Sequence, residues 1–87
     1  MIGIKDAVAV AKDFVQNVYE VNLPDLRLEE VGRSDDEKYW LVTLGYTQER
    51  TSLPQLAKLM NPFERVYKTI KVDAEKGEAI SMQIRQV

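Results

Sequence analysis

Carboxylates are the first residues to consider for chemistry in this sequence, because they can donate or accept protons and can bind hard cations. Glu29 and Glu30 are adjacent in a segment that alternates like a strand, so we expect them to point to opposite faces and not to flank one bond. Asp35, Asp36 and Glu37 fall in a polar turn without a spaced partner ligand. This second pattern predicts a solvated turn and no metal site.

A further acidic group, Asp73, Glu75 and Glu78, surrounds Gly77 and could suggest a calcium loop. An EF-hand loop has its glycine at the sixth place and a later acidic ligand, whereas Gly77 is fifth from Asp73 and that ligand is absent. The group is therefore interpreted as a hairpin turn in which Gly77 adopts a positive φ.

The chain contains no His and no Cys, which removes the commonest general base, the commonest metal ligand and the thiolate nucleophile. A serine nucleophile would also lack its usual histidine partner. No glycine-rich loop has the spacing that binds phosphates or dinucleotides. The sequence thus predicts a non-enzymatic protein with no catalytic residue, no cofactor and no metal, and a minor enzymatic role that uses a lysine base is the alternative.

The composition indicates an ordinary globular protein. The chain has 87 residues, which predicts a single domain over 1–87, with 45% hydrophobic and 30% charged residues. Its 12 basic and 14 acidic residues provide no basic surplus for phosphate binding, so no nucleic-acid partner is expected. No signal peptide or membrane-spanning run is recognisable, so the expectation is a cytoplasmic protein without a membrane partner, although a mature secreted domain would look the same.

Apolar residues of the first quarter of the chain follow a helical period, and this predicts an amphipathic helix over 4–21 that ends before Asn22 and Pro24. From residue 26 the pattern alternates instead, which predicts strands over 26–31, 38–47, 65–73 and 78–87. Residues 51–60 fit either a short helix or an ordered loop. The predicted stripe of the helix contains Ile4, Ala7, Val8, Ala11, Phe14, Val15, Val18 and Val21.

These elements predict an α+β fold in which the N-terminal helix packs on a four-stranded antiparallel sheet, in the order α-β-β-(short helix or loop)-β-β. Apolar residues on one side of the strands would form the core with the helix. That predicted inner set contains Trp40, Val42, Leu44, Ile70, Val72, Ile80, Met82 and Ile84.

The opposite side of the sheet is the candidate surface for binding a protein partner, because tyrosine and arginine are common anchors of protein interfaces. The predicted partner-binding residues are Arg27, Tyr39, Leu41, Thr43, Tyr67, Lys71 and Arg85, with Thr69 and Gln83 on the same side. A solvated face made of normal strand-forming residues would show the same pattern.

Three other possibilities remain open at this point. A Leu-rich segment, residues 51–63, could fold over the core or form an exposed binding patch; its apolar residues are Leu53, Leu56, Leu59, Met60 and Phe63. A shallow pocket between helix and sheet near Trp40 and Tyr46 could bind a small molecule or serve a minor enzymatic role. An open sheet edge could instead join two copies in an architectural homodimer.

The segment of residues 67–80, Tyr-Lys-Thr-Ile-Lys-Val-Asp-Ala-Glu-Lys-Gly-Glu-Ala-Ile, resembles the end of a PepSY-type domain. Residues 39–44 are similar to the preceding strand of that pattern, and residues 7–12 to its opening helix. The resemblance covers most of the chain and implies a cystatin-like helix-plus-sheet module that binds or inhibits other proteins, without catalytic residues to transfer. Small bacterial immunity proteins of helix-plus-sheet build look similar.

Overall fold

The computed structural model describes residues 1–20, 23–49, 59–60 and 62–85. One helix, α1 (Ile4–Tyr19), precedes four strands. The strands form one antiparallel sheet in the order β1-β2-β3-β4, and α1 packs on one side of it. The predicted α+β fold with an N-terminal helix is confirmed. The strands are β1 (Arg27–Arg33), β2 (Tyr39–Glu49), β3 (Phe63–Asp73) and β4 (Ala79–Arg85).

Helix α1 contacts the sheet through Ala7, Ala11 and Val15, which have no exposed surface. They are spaced by four residues, so they lie one above the other on a single line along the helix. Ile4 and Val18 flank this line and are about half exposed, at 48% and 49%. The predicted stripe is therefore wider than the contact, because a helix resting on a flat sheet buries only its central line completely.

The helix ends earlier than the predicted Val21, which lies outside the described residues. Glu20 follows the last helical residue with a φ of 58°, in the left-handed conformation that commonly terminates helices. The turn of the backbone at Glu20 therefore precedes Asn22 and Pro24, the residues from which the end was predicted.

The middle of the core lies between β2 and β3, where Val42 is paired with Ile70 and both are fully buried. Trp40 is partly buried beside them; its indole Nε1 donates to the carbonyl oxygen of Ile2 at 3.2 Å, and the Arg33 guanidinium lies 4.7 Å from its ring centroid. Trp40 and Ile70 both face the helix, so the predicted inner and outer sides of the sheet are confirmed for β2 and β3.

Strand β4 departs from its predicted role. Met82 packs against the core as expected, but Ile80 and Ile84 are exposed by 52% and 72%. The register shifts at the start of β4 so that Val72 is paired with Ala79, and Ala79 takes the place against the core that was predicted for Ile80. Ile84, opposite Lys68 of β3, also remains exposed.

Two turns connect the strands. Strand β1 continues through Gly32 and Arg33, beyond the predicted end of this strand at residue 31. The turn is closed by the Ser34 N–H, which donates to the Tyr39 carbonyl at 2.9 Å. In the second turn Gly77 has a φ of 70°, as predicted. Its N–H donates to the Asp73 carbonyl at 2.8 Å and closes the β3–β4 hairpin.

Across the ranges that the structure describes, no helix has both the length and the apolar character needed to cross a bilayer. The choice between helix and loop for residues 51–60 concerns a segment that is mostly outside the described residues, as are Leu53 and Leu56 of the Leu-rich segment. Leu59, Met60 and Phe63 of the same segment are described, and all three are exposed.

Candidate functional site: the outer face of the sheet

The side of the sheet that faces away from α1 is called the outer face. Cross-strand neighbours define its rows: Leu41 is opposite Lys71, Thr43 is opposite Thr69, and Gly45 is opposite Tyr67. The structure brings the seven predicted partner-binding residues onto this one side. In order along the chain they are Arg27, Tyr39, Leu41, Thr43, Tyr67, Lys71 and Arg85.

A β-bulge in β1 brings Glu30 to the same side of the sheet as Glu29. The register moves between Leu28 and Glu30, since Leu28 is paired with Leu44 and Glu30 with Thr43. The extra residue, Glu29, leaves both glutamates in contact with arginines of the outer face. The prediction that Glu29 and Glu30 point to opposite faces is therefore wrong, because strict alternation holds only in a strand without a bulge.

Arg65 is at the centre of the first ion-pair network on this face. Its Nη2 lies 3.0 Å from Glu29 Oε1, and its Nη1 donates to the carbonyl oxygen of Asp25 at 2.9 Å and to Thr47 Oγ1 at 3.3 Å. The same Nη1 lies 3.2 Å from Asp25 Oδ2. Two carboxylates and a carbonyl thus fix the planar guanidinium in one orientation.

Asp25 links this network to Arg27. Its Oδ1 accepts a hydrogen bond from Arg27 Nε at 2.7 Å, while its other side-chain oxygen faces Arg65. The backbone of Asp25 has a φ of 56°, an uncommon left-handed conformation for a residue with a Cβ. The loop before β1 thus holds Asp25 where it contacts two arginines at once.

A second network joins β1, β2 and β4. Arg85 Nη1 lies 2.6 Å from Glu30 Oε2 and donates to Thr43 Oγ1 at 3.3 Å. The hydroxyl groups of Thr43 and Thr69 are 3.0 Å apart and share a hydrogen bond. Thr43 is consequently only 4% exposed, so among the predicted partner-binding residues it supports its neighbours and offers little surface of its own.

At the other end of the face, the Lys71 ammonium lies 4.3 Å from the ring centroid of Tyr39, a cation–π contact. The positive charges of the face therefore have partners. Arg27, Arg65 and Arg85 each contact a carboxylate, and Lys71 contacts an aromatic ring. The face is consequently a mixed, largely paired surface, and not a basic patch.

Sequence reasoning missed Asp25, Glu29, Glu30 and Arg65 as members of this face. Arg65 could have been found, because it has the same parity in its strand as Tyr67, which was predicted to point outward. Glu29 could also have been found, because it has the same parity as Arg27. Glu30 could not, because the bulge that turns it outward is a property of strand pairing and has no signal in the residue pattern.

An apolar cavity of about 410 Å³ lies at the C-terminal end of α1, between the helix and the sheet. The Tyr46 hydroxyl, which reaches this cavity, donates to the Tyr19 hydroxyl at 3.3 Å. Burial of the phenol, together with this hydrogen bond, raises the pKa of Tyr46 well above its ordinary value. Tyr46 was predicted to line a pocket together with Trp40, but Trp40 is not part of the lining. The lining residues are Tyr19, Leu23, Pro24, Tyr46, Thr47, Gln48 and Phe63.

In the β1–β2 and β3–β4 turns, the side chains of Asp36 and Asp73 accept hydrogen bonds from residues of the same turn. Ser34 Oγ donates to Asp36 Oδ1 at 2.6 Å, and this hydrogen bond lowers the pKa of Asp36. The N–H groups of Lys76 and Glu75 both donate to Asp73 Oδ1, which lowers the pKa of Asp73. Within the described part of the chain, no three or more acidic side chains are grouped so that they could hold a metal ion.

No family model, no curated protein and no solved structure matches this chain.

Proposed function

We propose that this protein is a non-catalytic protein-binding module, an inhibitor, immunity protein or regulatory subunit, and that its partner docks on the outer face. The observation that carries the proposal is the fixing of Arg65 by Asp25 and Glu29 on a surface that α1 leaves uncovered. Long arginine side chains normally lose conformational entropy when a partner binds. Arginine side chains that neighbouring carboxylates already hold in place lose less conformational entropy, and this favours binding through the outer face.

The chemistry of the face favours a protein partner over a nucleic acid. Arg27, Arg65 and Arg85 are already paired with carboxylates, so displacing counterions from phosphates would require breaking those pairs. Tyr67 adds aromatic area beside Arg85, and Tyr39 adds it beside Lys71 at the other end of the face. Tyrosine and arginine are enriched at the centres of protein interfaces. A flat partner surface with charges of both signs fits best.

The helix-plus-sheet architecture agrees with the module that the PepSY-type resemblance implies, and the binding or inhibitory role of such a module is part of this proposal. The exposed Leu59, Met60 and Phe63 belong to the Leu-rich segment, which is the alternative contact surface. The two surfaces lead to different cross-linking results.

Site-specific photo-cross-linking in cells tests the contact surface. A photoreactive phenylalanine analogue replaces Tyr67 on the outer face, Leu59 in the Leu-rich segment, or Asp13 on the exposed side of α1 as the control. We expect one protein to be captured from position 67 and not from position 13. Capture from position 59 alone would move the contact to the Leu-rich segment, and equal capture from all positions would contradict a defined surface.

Variants then test the residues. Tyr39→Ala/Tyr67→Ala should lose the captured partner while keeping the circular dichroism spectrum and unfolding temperature of a folded protein. The matched control is Lys5→Ala/Asp13→Ala, which changes two exposed residues of the helix. If a native lysate yields no partner and the tyrosine variant behaves like wild type in cells, the proposal fails.

The cavity beside Tyr46 supports a second candidate function, the binding of a small aromatic molecule. Its lining is mostly apolar and contains three aromatic rings, and the Tyr19 and Tyr46 hydroxyls provide a polar group at one side. Titration with a small set of phenols and indoles, followed by NMR, should shift the signals of Tyr19, Tyr46 and Phe63 together. Shifts scattered over the sheet, or none at millimolar ligand, would reject this function.

A further inference from the structure

Strand β4 forms one edge of the sheet, and within the described residues it pairs with β3 alone. An edge strand presents unpaired backbone N–H and C=O groups that can pair with another chain. From Ala79 to Ile84 the strand has no charged residue and no proline. It therefore lacks the charges and prolines that usually prevent pairing between edges.

The opposite edge has such charges. Strand β1 carries a charge at Arg27, Glu29, Glu30 and Arg33, and its bulge interrupts the regular backbone ladder. In β4 the irregularity is confined to the first residues, and residues 81–85 pair regularly with β3. The two edges of one sheet are thus unequal, and only β4 is suited to accept a further strand.

The side chains of β4 indicate what that further strand is. Met82 and Ile84 lie opposite Ile70 and Lys68 of β3, Ile80 is the extra residue at the register shift, and the two isoleucines are mostly exposed. In the sequence of residues 80–84, Ile-Ser-Met-Gln-Ile, the apolar residues form a row that is symmetrical about Met82. An antiparallel strand with the same sequence would therefore place Ile80 opposite the second copy's Ile84 at both ends, and no foreign sequence is needed to complete the row.

We propose that two copies of this chain associate through β4, antiparallel and centred on Met82, to form one continuous eight-stranded sheet. This register places Ser81 opposite Gln83 on the outer side and brings no like charges together. Arg85 of each copy comes beside Glu78 of the other, so opposite charges flank the apolar row. The proposal does not rest on the function of the outer face.

The contact is small, because it consists of one pair of short strands and two isoleucines from each copy. Such an interface falls below the roughly 1,200 Å² that stable complexes bury, so the dimer dissociates in the micromolar range or above. Sedimentation equilibrium from about 10 µM to about 1 mM covers that range. We expect the average mass to rise from one chain towards two with increasing concentration.

Two lysine substitutions test which edge of the sheet forms the dimer. Ile84→Lys places a positive charge on the exposed side chain of β4 and should raise the dissociation constant by roughly tenfold or more. Leu28→Lys makes the same change on the β1 edge and should leave the dissociation constant unchanged. A wild-type chain that stays monomeric at the highest concentration overturns the proposal, and so does a dimer that survives Ile84→Lys or is lost in Leu28→Lys.

A disulfide tests the register, and the natural absence of cysteine makes each introduced thiol the only one in the chain. Oxidation of Met82→Cys should give a covalent dimer, because the two thiols face each other across the axis. Gln83→Cys should remain largely uncross-linked, since its counterpart is Ser81. A higher yield from Gln83→Cys contradicts the register centred on Met82. Because neither site lies among the seven partner-binding residues, failure here leaves the outer-face proposal standing, and the reverse also holds.

Discussion

The inner and outer faces of the sheet alternate along the same strands but are stabilised by different interactions. Leu44 and Ile70 on the inner face have no exposed surface and pack against α1. Their chain neighbours Gly45 and Thr69, on the outer face, lie among hydroxyl groups, carboxylates and arginines. Burial of apolar area supplies most of the folding free energy, whereas the polar contacts mainly determine where the outer side chains point.

The largest effect should come from comparing two adjacent residues of β3. Ile70→Ala removes a fully buried side chain beneath the helix and should lower the free energy of unfolding by about 2–5 kcal/mol. Thr69→Ala removes one shared hydrogen bond on the outer face and should cost about 1 kcal/mol. Urea unfolding followed by circular dichroism measures both. Equal losses would mean that the outer face contributes to stability as much as the core does.

The next effect concerns the close contact around Gly45. A Cβ at this position would lie 2.8 Å from Arg65 Nη2 and 2.9 Å from Glu29 Oε1. Gly45→Ala should therefore displace the ion pair and, because both atoms are the ends of flexible side chains, cost about 1 kcal/mol. At Gly32 a Cβ would meet nothing within 4 Å, so Gly32→Ala is the matched control and should be neutral or slightly stabilising. If both variants unfold at the same urea concentration, the crowding at Gly45 has no energetic consequence.

The inner face also contains a polar contact, between Tyr46 and Tyr19, and it should show a dependence on pH. Because the pKa of Tyr46 is raised in the folded protein, its stabilising effect is fully present below its ordinary value of 10.0 and is lost as the pH rises above it. Tyr46→Phe should cost about 1 kcal/mol at neutral pH. The difference in unfolding free energy between wild type and Tyr46→Phe should then shrink between about pH 9 and pH 11.

The other tyrosines and the lysines titrate in both proteins, so their contributions to the unfolding free energy cancel in the difference between wild type and Tyr46→Phe. A difference that stays constant across this pH range would show that the Tyr46 hydroxyl has an ordinary pKa in the folded state.

The smallest effect should come from screening the ion pairs of the outer face. Arg65 is mostly covered and contacts two carboxylates, so Arg65→Ala should cost about 0.5–1 kcal/mol at low salt and less near 1 M NaCl. Ile70→Ala should show no comparable decrease with salt, because burial is not screened. A cost for Arg65→Ala that is independent of salt would assign its role to packing of the side-chain stem.

Much of the fold could be predicted from local patterns. The helical period between Ile4 and Val18 places α1 correctly, and the alternation around Val42 and Ile70 gives the correct inner side of β2 and β3. The glycine at position 77 correctly predicts a turn with positive φ. These features depend on residues that are close in the sequence, so a single chain segment contains the whole signal.

The candidate site was predicted only in part. The positions of Tyr39, Tyr67 and Lys71 followed from alternation, but the burial of Thr43 depends on Thr69 and on Arg85, which is 42 residues away. The pairing of Glu30 with Arg85 depends on a bulge that shifts the register between two strands. Neither relation is expressed in the local pattern of either partner.

By itself, the sequence determined the types of the elements, their order and the sides of the central strands, because the hydrogen-bonding geometry of helices and strands imposes fixed periods on side chains. The tertiary structure alone decided which apolar residues the single helix covers, where the β1 ladder shifts, and which strands form the edges of the sheet. These outcomes depend on the relative widths of helix and sheet and on pairing between distant strands, and they leave Ile80 and Ile84 exposed while Leu44 and Ile70 are completely buried.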